Sequence, residues 1–224
     1  MAPSILKKIE SKFHAPCVEA YAMTEASHQM CSNPIEGGPR KPGTVGKGMG
    51  VDVAILDLNN EVVTDPDTEG EVCIRGKNVT KGYIGVTPEV NEAAFAGGWF
   101  HTGDQGKLDA DGYLQLTGRI KELINRAGEK ISPLEVDAAM LAHTSVAEAV
   151  SFSMPDDLYG EVVAAAIVLK EGTEHELDEK ELTDFLADKL AKFKIPVRVF
   201  FDTTLPKTAT GKIQRRFVAA HFLE

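Results

Sequence analysis

The pattern of apolar and polar positions divides the chain into two parts that differ in their predicted secondary structure. The first 120 residues hold short β-like runs between Gly- and Pro-rich turns. We predict strands at residues 51–56, 71–75 and 113–117, and the Asp-Ala-Asp-Gly run at 109–112 is typical of a tight turn between antiparallel strands. This pattern predicts a small barrel or a twisted sheet.

The second part begins at about Lys121, where helical periodicity with clear caps first appears. The Ser-Pro-Leu-Glu run at 132–135 is a capping-box pattern and predicts the start of a helix. The Asp-Glu-Lys-Glu run at 178–181 starts a second helix, with an apolar face at 182, 185, 186 and 190 that ends before residue 196. Strand-like runs at 147–154, 162–169 and 197–201 complete a compact α+β domain.

The composition limits the classes of protein to which this chain can belong. With 224 residues, 43% of them hydrophobic and 26% charged, the chain can bury the core of one large or two small domains. The net charge of −10 disfavours a nucleic-acid-binding surface, because neutralising phosphates requires a concentrated basic face. No apolar run reaches the length of a membrane span, and the first four residues have neither the charged nor the apolar region expected of a secretory signal. We therefore expect a soluble intracellular protein that binds any polyanionic ligand through a few individually placed cations.

Generic motifs supply no chemistry. Cys17, Cys31 and Cys73 fit neither a disulfide framework nor a Cys-x-x-Cys pattern, so we interpret them as reduced thiols that bind no metal. None of the six histidines has a zinc-site partner at a useful spacing. The Gly-Lys pairs at 46–47 and 211–212 lack the upstream Gly and the following Ser or Thr of a phosphate-binding P-loop. Local patterns alone indicate a soluble α+β protein of unassigned function.

Four segments, taken in order, change that interpretation. They are Tyr-Ala-Met-Thr-Glu at 21–25, Trp-Phe-His-Thr-Gly-Asp at 99–104, Gly-Arg-Ile-Lys-Glu-Leu-Ile at 118–124 and Pro-Lys-Thr-Ala-Thr-Gly-Lys-Ile-Gln-Arg-Arg at 206–216. The ordered set resembles the adenylate-forming acyl-CoA synthetase superfamily over nearly the whole chain. The stretches 19–30 and 123–133 are similar to oxalyl-CoA synthetases. The resemblance implies an acid–CoA ligase that uses ATP, CoA and a small carboxylic acid, with oxalate favoured.

The resemblance also implies an architecture. Residues 1–120 would be the C-terminal part of the large α/β AMP-binding domain, including a small β-barrel-like subdomain. Residues 121–224 would be the mobile α+β C-terminal domain. Family members are much longer and carry an upstream Ser/Thr/Gly-rich phosphate loop that ends in Pro-Lys, and no such loop occurs in these 224 residues. The chain is therefore expected to be a portion of such an enzyme.

Nucleotide contacts are implied for the first part. Tyr21 would lie against the adenine, Asp104 would accept hydrogen bonds from both ribose hydroxyls, and Arg119 would contact the ribose or a phosphate. Thr24 and Glu25 would hold phosphate and Mg²⁺, since a hard cation that retains waters suits one carboxylate beside substrate phosphates. Taken singly, each residue also fits an ordinary strand, turn or solvated surface position.

The resemblance places a hinge at Lys121 and assigns the two half-reactions to different faces of the second domain. Lys212 would reach the α-phosphate and the carboxylate during adenylate formation. Gly128 would let the pantetheine arm of CoA pass close to the backbone during transfer. The alternatives are that Lys121 is a solvated linker lysine, Lys212 an exposed tail lysine and Gly128 an ordinary turn glycine.

His28 supports a hypothesis about the substrate. Its imidazole, three residues after Glu25, would contact the second carboxylate of a diacid such as oxalate. A packed, hydrogen-bonded histidine is the alternative.

The sequence is compatible with two functions from different classes. The first is a portion of an acyl-CoA ligase. The second is a non-catalytic truncated module that binds nucleotide or CoA weakly, or docks to a separate N-terminal partner. The cytosol is the expected location because the chain does not end in a Ser-Lys-Leu address, and the peroxisome of some related oxalyl-CoA synthetases is the alternative.

Overall fold

The computed structural model describes residues 3–173, 177–209 and 211–223, so Thr210 of the tail motif lies outside it. The chain divides into two compact units, Met1–Ile120 and Lys121–Glu224, called unit 1 and unit 2 below. Each unit buries apolar side chains in clusters of its own. In the part of the chain that the structure describes, no helix has the length and apolar character needed to cross a lipid bilayer.

The described residues of unit 1 form two helices and two antiparallel sheets. One sheet consists of β1 (Ala20–Met23), β2 (His28–Ser32) and β3 (Lys47–Gly48). The other consists of β4 (Asp52–Leu56), β5 (Gly70–Arg75), β6 (Phe100–Leu108) and β7 (Leu114–Arg119), paired in chain order. The helices are α1 (Pro3–Phe13) and α2 (Pro88–Ala94), and short 3-10 turns occupy Thr24–Ala26 and Ala96–Gly98.

The four-stranded sheet is open rather than closed. Among the described residues, β4 and β7 are its edges, and no pairing between them closes a barrel. Of the two sequence-based alternatives, the barrel is wrong. Side chains from both sheets share one core, in which Met30, Ile74 and Leu114 are fully buried.

Local sequence signals predicted much of unit 1. The three predicted strands lie within one or two residues of β4, β5 and β7. The predicted turn joins β6 to β7, and the amide of Gly112 donates to the Asp109 carbonyl at 2.8 Å. The sequence pattern did not predict α1, because no capping signal precedes this helix. Its apolar face buries Leu6. Helical structure therefore begins earlier in the chain than the periodicity indicated.

Unit 2 is an α+β arrangement around a five-stranded sheet. Its strands are β8 (Ile124–Arg126), β9 (Glu129–Ile131), β10 (Val146–Asp156), β11 (Gly160–Leu169) and β12 (Arg198–Asp202). Its helices are α3 (Pro133–Leu141), α4 (Glu179–Ala187) and α5 (Arg215–Leu223). The strand order is β10–β11–β8–β9, and β12 runs parallel to β11.

Strand β11 lies at the centre of this sheet and serves two cores. Val163, Ala165 and Ile167 pack in a cluster that includes side chains of α3 and α4. Ala164 and Ala166 face the opposite way, into a cluster that includes a side chain of α5. Because successive side chains alternate between two covered faces, β11 is almost continuously apolar.

Both predicted helix starts in unit 2 are confirmed. The Ser132 hydroxyl accepts a hydrogen bond from the Glu135 amide at 3.4 Å, directly before α3. The Asp178 carboxylate accepts from the Glu181 amide at 2.7 Å, and the Asp178 amide donates back to Glu181 Oε2 at 3.0 Å. This reciprocal pair is a complete capping box, which satisfies amides that would otherwise lack partners.

The end of α4 differs from the sequence prediction. The apolar periodicity extends to Leu190, whereas the helix ends at Ala187. Leu190 lies in the following turn, where its amide still donates to the Leu186 carbonyl at 2.9 Å. Its side chain is buried in the same core as the apolar side chains of α4, so the apolar periodicity continues beyond the end of the helix.

A buried ion pair ties α5 to the rest of unit 2. Nη2 of Arg215 lies 3.0 Å from Oδ2 of Asp137 on α3, and the two side chains are 13% and 14% exposed. Arg215 also donates to the carbonyl of Ser151 on β10 and, through Nε, to Glu122 Oε2 at 3.2 Å. The Ser151 hydroxyl donates to Asp137 Oδ1 at 2.8 Å. Burial raises the pKa of Asp137, while Arg215 and Ser151 act in the opposite direction.

Arg215→Ala is expected to lower the free energy of unfolding of unit 2 by about 3–5 kcal/mol at neutral pH, because it leaves the Asp137 charge buried without a cation. The raised pKa sets the sign of the pH dependence. A protonated Asp137 does not need the cation, so the loss should shrink as the pH falls. Urea unfolding followed by circular dichroism at several pH values measures both effects.

Arg216→Ala is the matched control for this prediction. Arg216 is the next residue along the chain, but its side chain is exposed. A similar loss in both variants, or a loss that does not depend on pH, would contradict the assigned pairing.

Candidate functional site

Three of the side chains singled out in the sequence lie together in unit 1. The Tyr21 hydroxyl donates to Oδ2 of Asp104, and Nε of Arg119 lies 3.2 Å from Oδ1. Asp104 and Arg119 are partners across β6 and β7, while Tyr21 comes from β1. Tyr21 and Asp104 are 7% and 9% exposed, but the Arg119 side chain is 70% exposed. The carboxylate is thus held at both oxygens beside a cation that faces solvent.

An irregularity in the β5–β6 ladder sets the direction of the Asp104 side chain. The register shifts between Glu71 and Cys73, and Gly103 on β6 has a φ of +73°. A Cβ at Gly103 would meet no heavy atom within 4 Å, so backbone conformation rather than crowding calls for glycine there. Glu71 Oε1 accepts from the Gly103 amide at 2.9 Å, and Thr102 Oγ1 accepts from the Asp104 amide at 3.1 Å. A bulge of this kind redirects one side chain out of the regular ladder.

Thr24 and Glu25 begin the 3-10 turn that follows β1. The half-buried Glu25 accepts the Tyr83 hydroxyl at Oε1 at 3.0 Å, and its carbonyl accepts from the Thr80 amide at 2.7 Å. Burial and the bond to Glu25 raise the pKa of Tyr83. Thr24 is exposed. The pair therefore presents oxygen atoms of the kind that a hard cation such as Mg²⁺ prefers.

His28 opens β2 on the surface of unit 1. Its φ is +85° and that of Ser27 is +52°, so the chain turns sharply between β1 and β2. Asn78 holds this turn, because its carbonyl accepts from the Ser27 hydroxyl and its Nδ2 donates to the Ala26 carbonyl, both at 2.9 Å. The His28 side chain is exposed, and no described residue makes a hydrogen bond or ion pair with its ring. The packed, hydrogen-bonded alternative is therefore not what the structure shows.

In unit 2, Lys212 lies in a tight loop between β12 and α5. The amides of Thr208 and Gly211 donate to the carbonyls of Lys212 and Thr208, each at 2.8 Å. The Lys212 amide donates to Thr208 Oγ1 at 3.1 Å. Lys207 in the same loop lies 2.6 Å from Glu148 Oε1, whereas Lys212 is exposed and pairs with no carboxylate among the described residues. Lys212 thus presents an ammonium group that no described carboxylate pairs, from a residue whose backbone bonds to Thr208.

A two-residue turn of Ala127 and Gly128 joins β8 to β9. Their φ values are +50° and +97°, and positive φ at both positions is what a type I′ hairpin requires. The Gly128 amide donates to Asn125 Oδ1 at 3.1 Å, and no heavy atom lies within 4 Å of a Cβ built there. The Arg126 guanidinium stacks on the Tyr159 ring at 3.6 Å from its centroid. The Asn125 hydrogen bond closes the turn, and open space lies beside Gly128.

Lys121 lies in the 3-10 turn Ile120–Glu122 and is the first residue of unit 2. Its side chain is exposed. The next residue, Glu122, accepts a hydrogen bond from Arg215. The fixed part of unit 2 therefore begins one residue after Lys121.

Sequence patterns missed the contacts that support these residues. Tyr83 lies 58 positions from Glu25, and Glu71 lies 32 positions from Gly103. Glu71 lies in β5 and Tyr83 lies in the irregular segment between β5 and α2, and no spacing rule connects either residue to its partner. Only their adjacency in the folded chain identifies them.

Two parts of the chain match family models. Residues 1–84 match the AMP-binding enzyme model, and residues 135–212 match the model of the AMP-binding enzyme C-terminal domain. Among curated proteins, the chain is 58% identical to a probable CoA ligase of Humulus lupulus and 57% identical to an oxalate–CoA ligase of Arabidopsis thaliana. Each match covers 100% of this chain, which spans 42% and 43% of the length of these relatives.

Solved structures show the same similarity. ATP-bound MatB of Rhodopseudomonas palustris matches with a TM-score of 0.90 and 32% identity, over 98% of this chain and 43% of that one. The o-succinylbenzoate–CoA synthetase of Bacillus subtilis in complex with its acyl-adenylate intermediate matches with a TM-score of 0.81 and 32% identity, over 96% and 43%. The mixed α/β fold is therefore shared with these proteins.

Burial and the bond to Asp104 raise the pKa of Tyr21 well above its usual value, so this phenol should stay protonated at about pH 10.5, where an ordinary tyrosine is largely ionised. At that pH, folded wild type and folded Tyr21→Phe should show equal phenolate absorbance. After unfolding in urea at the same pH, the wild type should show about three-quarters of a phenolate more per chain than the variant, the ionised fraction of an ordinary tyrosine at that pH. Circular dichroism establishes that both proteins are folded before urea is added. A folded wild type that already shows this excess over the variant would refute the buried hydrogen bond.

Proposed function

Because the chain belongs to the AMP-binding enzyme family, we propose that it is the C-terminal portion of an acyl-CoA ligase. The full reaction would activate a small carboxylic acid with ATP to an acyl-adenylate and then transfer the acyl group to CoA. The observation that carries the proposal is the buried Asp104, fixed by Tyr21 and lying beside the exposed cation of Arg119. Since the chain spans 42% and 43% of its relatives, the activity is proposed for the longer protein.

Nucleotide binding would rest on Asp104. Ribose hydroxyls are donors, and each carboxylate oxygen accepts more than one hydrogen bond, so Asp104 can bind ribose while Tyr21 and Arg119 stay in place. The exposed guanidinium of Arg119 suits a phosphate oxygen. Tyr21 is only 7% exposed, so its main part would be to fix Asp104, with the edge of its ring left for the adenine.

Glu25 and Thr24 are the residues that would hold Mg²⁺ and phosphate. The first carboxylate oxygen of Glu25 is bound by Tyr83, and no described residue bonds the second one, which fits a hard cation that keeps several of its waters. When bound, Mg²⁺ would neutralise the charge on the phosphates. The exposed Thr24 hydroxyl can donate to a phosphate oxygen.

Lys212 would act during adenylate formation. The substrate carboxylate attacks the α-phosphorus, pyrophosphate leaves, and negative charge accumulates on the oxygens around the phosphorus. A nearby ammonium group stabilises that charge. Lys212 loses no ion pair with a described residue when it turns toward the substrate, and its flexible stem can adjust while the loop holds its backbone.

The second half-reaction would use other parts of unit 2. The CoA thiol attacks the acyl carbonyl, and AMP leaves. Lys121 would be the hinge, since it is exposed at the unit boundary and need only absorb a change of backbone dihedral angles. Gly128 would line the pantetheine passage, because the space beside its turn lets a chain approach the backbone.

Oxalate is the proposed acid. Support comes from the oxalate–CoA ligases of Arabidopsis thaliana and Saccharomyces cerevisiae, each 57% identical to this chain. The exposed ring of His28, without a described hydrogen-bond partner, can meet the second carboxylate of a diacid. If His28→Ala in the longer protein left the oxalate dependence of the rate unchanged, this role would be lost.

The alternative is a non-catalytic module that binds nucleotide or CoA weakly or docks to a separate N-terminal partner. It is retained because these 224 residues contain no Ser/Thr/Gly-rich loop that ends in Pro-Lys. Pyrophosphate release with oxalate, ATP and Mg²⁺ distinguishes the ligase from the non-catalytic module. It is measured on this chain and on a version extended upstream to the length of its relatives. Release by the extended version alone confines the ligase to the longer protein, and release by neither contradicts the proposal. The compartment, cytosol or peroxisome, stays a prediction.

In the extended protein, Lys212→Ala is expected to slow adenylate formation by about 100-fold or more, as the loss of a charge-stabilising donor does in other enzymes. Attack of CoA on a supplied acyl-adenylate should be largely unchanged. Rapid-quench measurement of each half-reaction separates the two effects.

Lys207→Ala is the matched control. Lys207 lies in the same loop but is paired with Glu148, so its loss should spare both half-reactions. Equal losses in the two variants, or in the two half-reactions of Lys212→Ala, would be incompatible with the assigned role.

A further inference from the structure

Three metal-binding side chains converge on β5 and β6 of unit 1. Glu71, Cys73 and His101 each offer one ligand atom, and these atoms lie within 4.8 Å of one another. Cys73 Sγ is 3.5 Å and Glu71 Oε2 is 2.8 Å from His101 Nδ1. Cys73 is buried, while the Glu71 and His101 side chains are 23% and 13% exposed, which leaves an approach from solvent. The proposed ligase reaction assigns no chemical step to any of the three.

The surroundings of His101 leave Nδ1 facing a place for a cation. Nε2 lies 3.2 Å from the Ala96 carbonyl, which can only accept, so Nε2 carries a proton. Nδ1 lies 2.8 Å from Glu71 Oε2, which is the geometry of an N–H···O hydrogen bond, so a metal ion would have to replace the proton between these two atoms. Metal-binding histidines commonly donate their other ring N–H to a backbone carbonyl in this way.

We propose that Glu71, Cys73 and His101 bind one Zn²⁺ ion, which would overturn the sequence-based interpretation of Cys73 as a thiol that binds no metal. Thiolate, imidazole and carboxylate together suit Zn²⁺, and three protein ligands leave a fourth position for water. Around a tetrahedral zinc ion, sulfur and nitrogen ligands lie about 3.6 Å apart, and nitrogen and oxygen ligands about 3.4 Å apart. The Cys73–His101 separation of 3.5 Å already fits, while the Glu71 oxygen must withdraw from 2.8 Å.

Glu71 can make this adjustment without releasing the neighbouring bulge. Its other oxygen, Oε1, accepts from the Gly103 amide at 2.9 Å, so the two oxygens serve different partners. On binding, the Cys73 thiol loses its proton to solvent, because the thiolate is the ligand. The ion would link β5 to β6 beside the segment that carries Asp104. The competing occupant of Nδ1 is a proton, which would make an imidazolium–carboxylate pair with Glu71.

Cobalt and zinc binding to the untagged, reduced 224-residue chain test the proposal. The double variant Cys17→Ser/Cys31→Ala keeps all three proposed ligands and leaves Cys73 as the only thiol. We expect it to bind one Zn²⁺ per chain in competition with a chromophoric chelator, as the wild type does. With Co²⁺ it should show thiolate-to-cobalt charge-transfer absorption, which only Cys73 can supply.

Ligand variants provide the second arm. Cys73→Ser and His101→Gln should each weaken Zn²⁺ binding by more than about tenfold, and Cys73→Ser should abolish the cobalt band. Circular dichroism checks that each variant is folded. The proposal is overturned if the wild type binds no Zn²⁺, if the single-thiol variant lacks the cobalt band, or if Cys73→Ser binds Zn²⁺ as tightly as the wild type. Because the single-thiol variant retains all three ligands, its result decides the matter even if a ligand variant does not fold.

Discussion

A carboxylate that is removed from water needs a cation or hydrogen-bond donors, and in each unit one described carboxylate has both kinds of partner. In both units the partners are one hydroxyl and one arginine, and they come from different secondary-structure elements. The two sets are Asp104 with Tyr21 and Arg119, and Asp137 with Ser151 and Arg215. Satisfying the charge therefore fixes where strands and helices meet: β1 is joined to β6 and β7, and α3 is joined to β10 and α5.

The exposure of the two arginines separates a site that can take a ligand from one that holds the fold. The Arg119 side chain is 70% exposed, so donors remain for a ligand after the contact with Asp104. The Arg215 side chain is 13% exposed, and it already contacts Asp137, Glu122 and the carbonyl of Ser151. The same chemical arrangement thus leaves a cation available in unit 1 and engages it fully in unit 2.

Sequence reasoning succeeded where the physical cause is local. The turn at 109–112 and the caps at Ser132 and Asp178 depend on residues within four positions of one another. The Arg215–Asp137 pair spans 78 positions, and no helical or strand period connects such distant residues. The Glu71–Cys73–His101 cluster was not predicted for a related reason: its members come from two strands, and the irregular β5–β6 register cannot be read from the sequence. The ordered motifs singled out Tyr21, Asp104 and Arg119 together, and local patterning could not have done so.

The overall charge of −10 says little about how this chain would meet a polyanion, because placement decides the outcome. Lys207 and Lys212 share one short loop, yet Glu148 neutralises the first and no described residue pairs with the second. An isolated ammonium group on an acidic surface is attracted mainly by charges within a Debye length, about 8 Å at physiological ionic strength. Such a cation discriminates by position: it stabilises negative charge that is brought close to it and has little effect on charge elsewhere. An acidic chain can therefore bind a polyanion, provided that a cation without a carboxylate partner is held by backbone hydrogen bonds such as those that join Lys212 to Thr208.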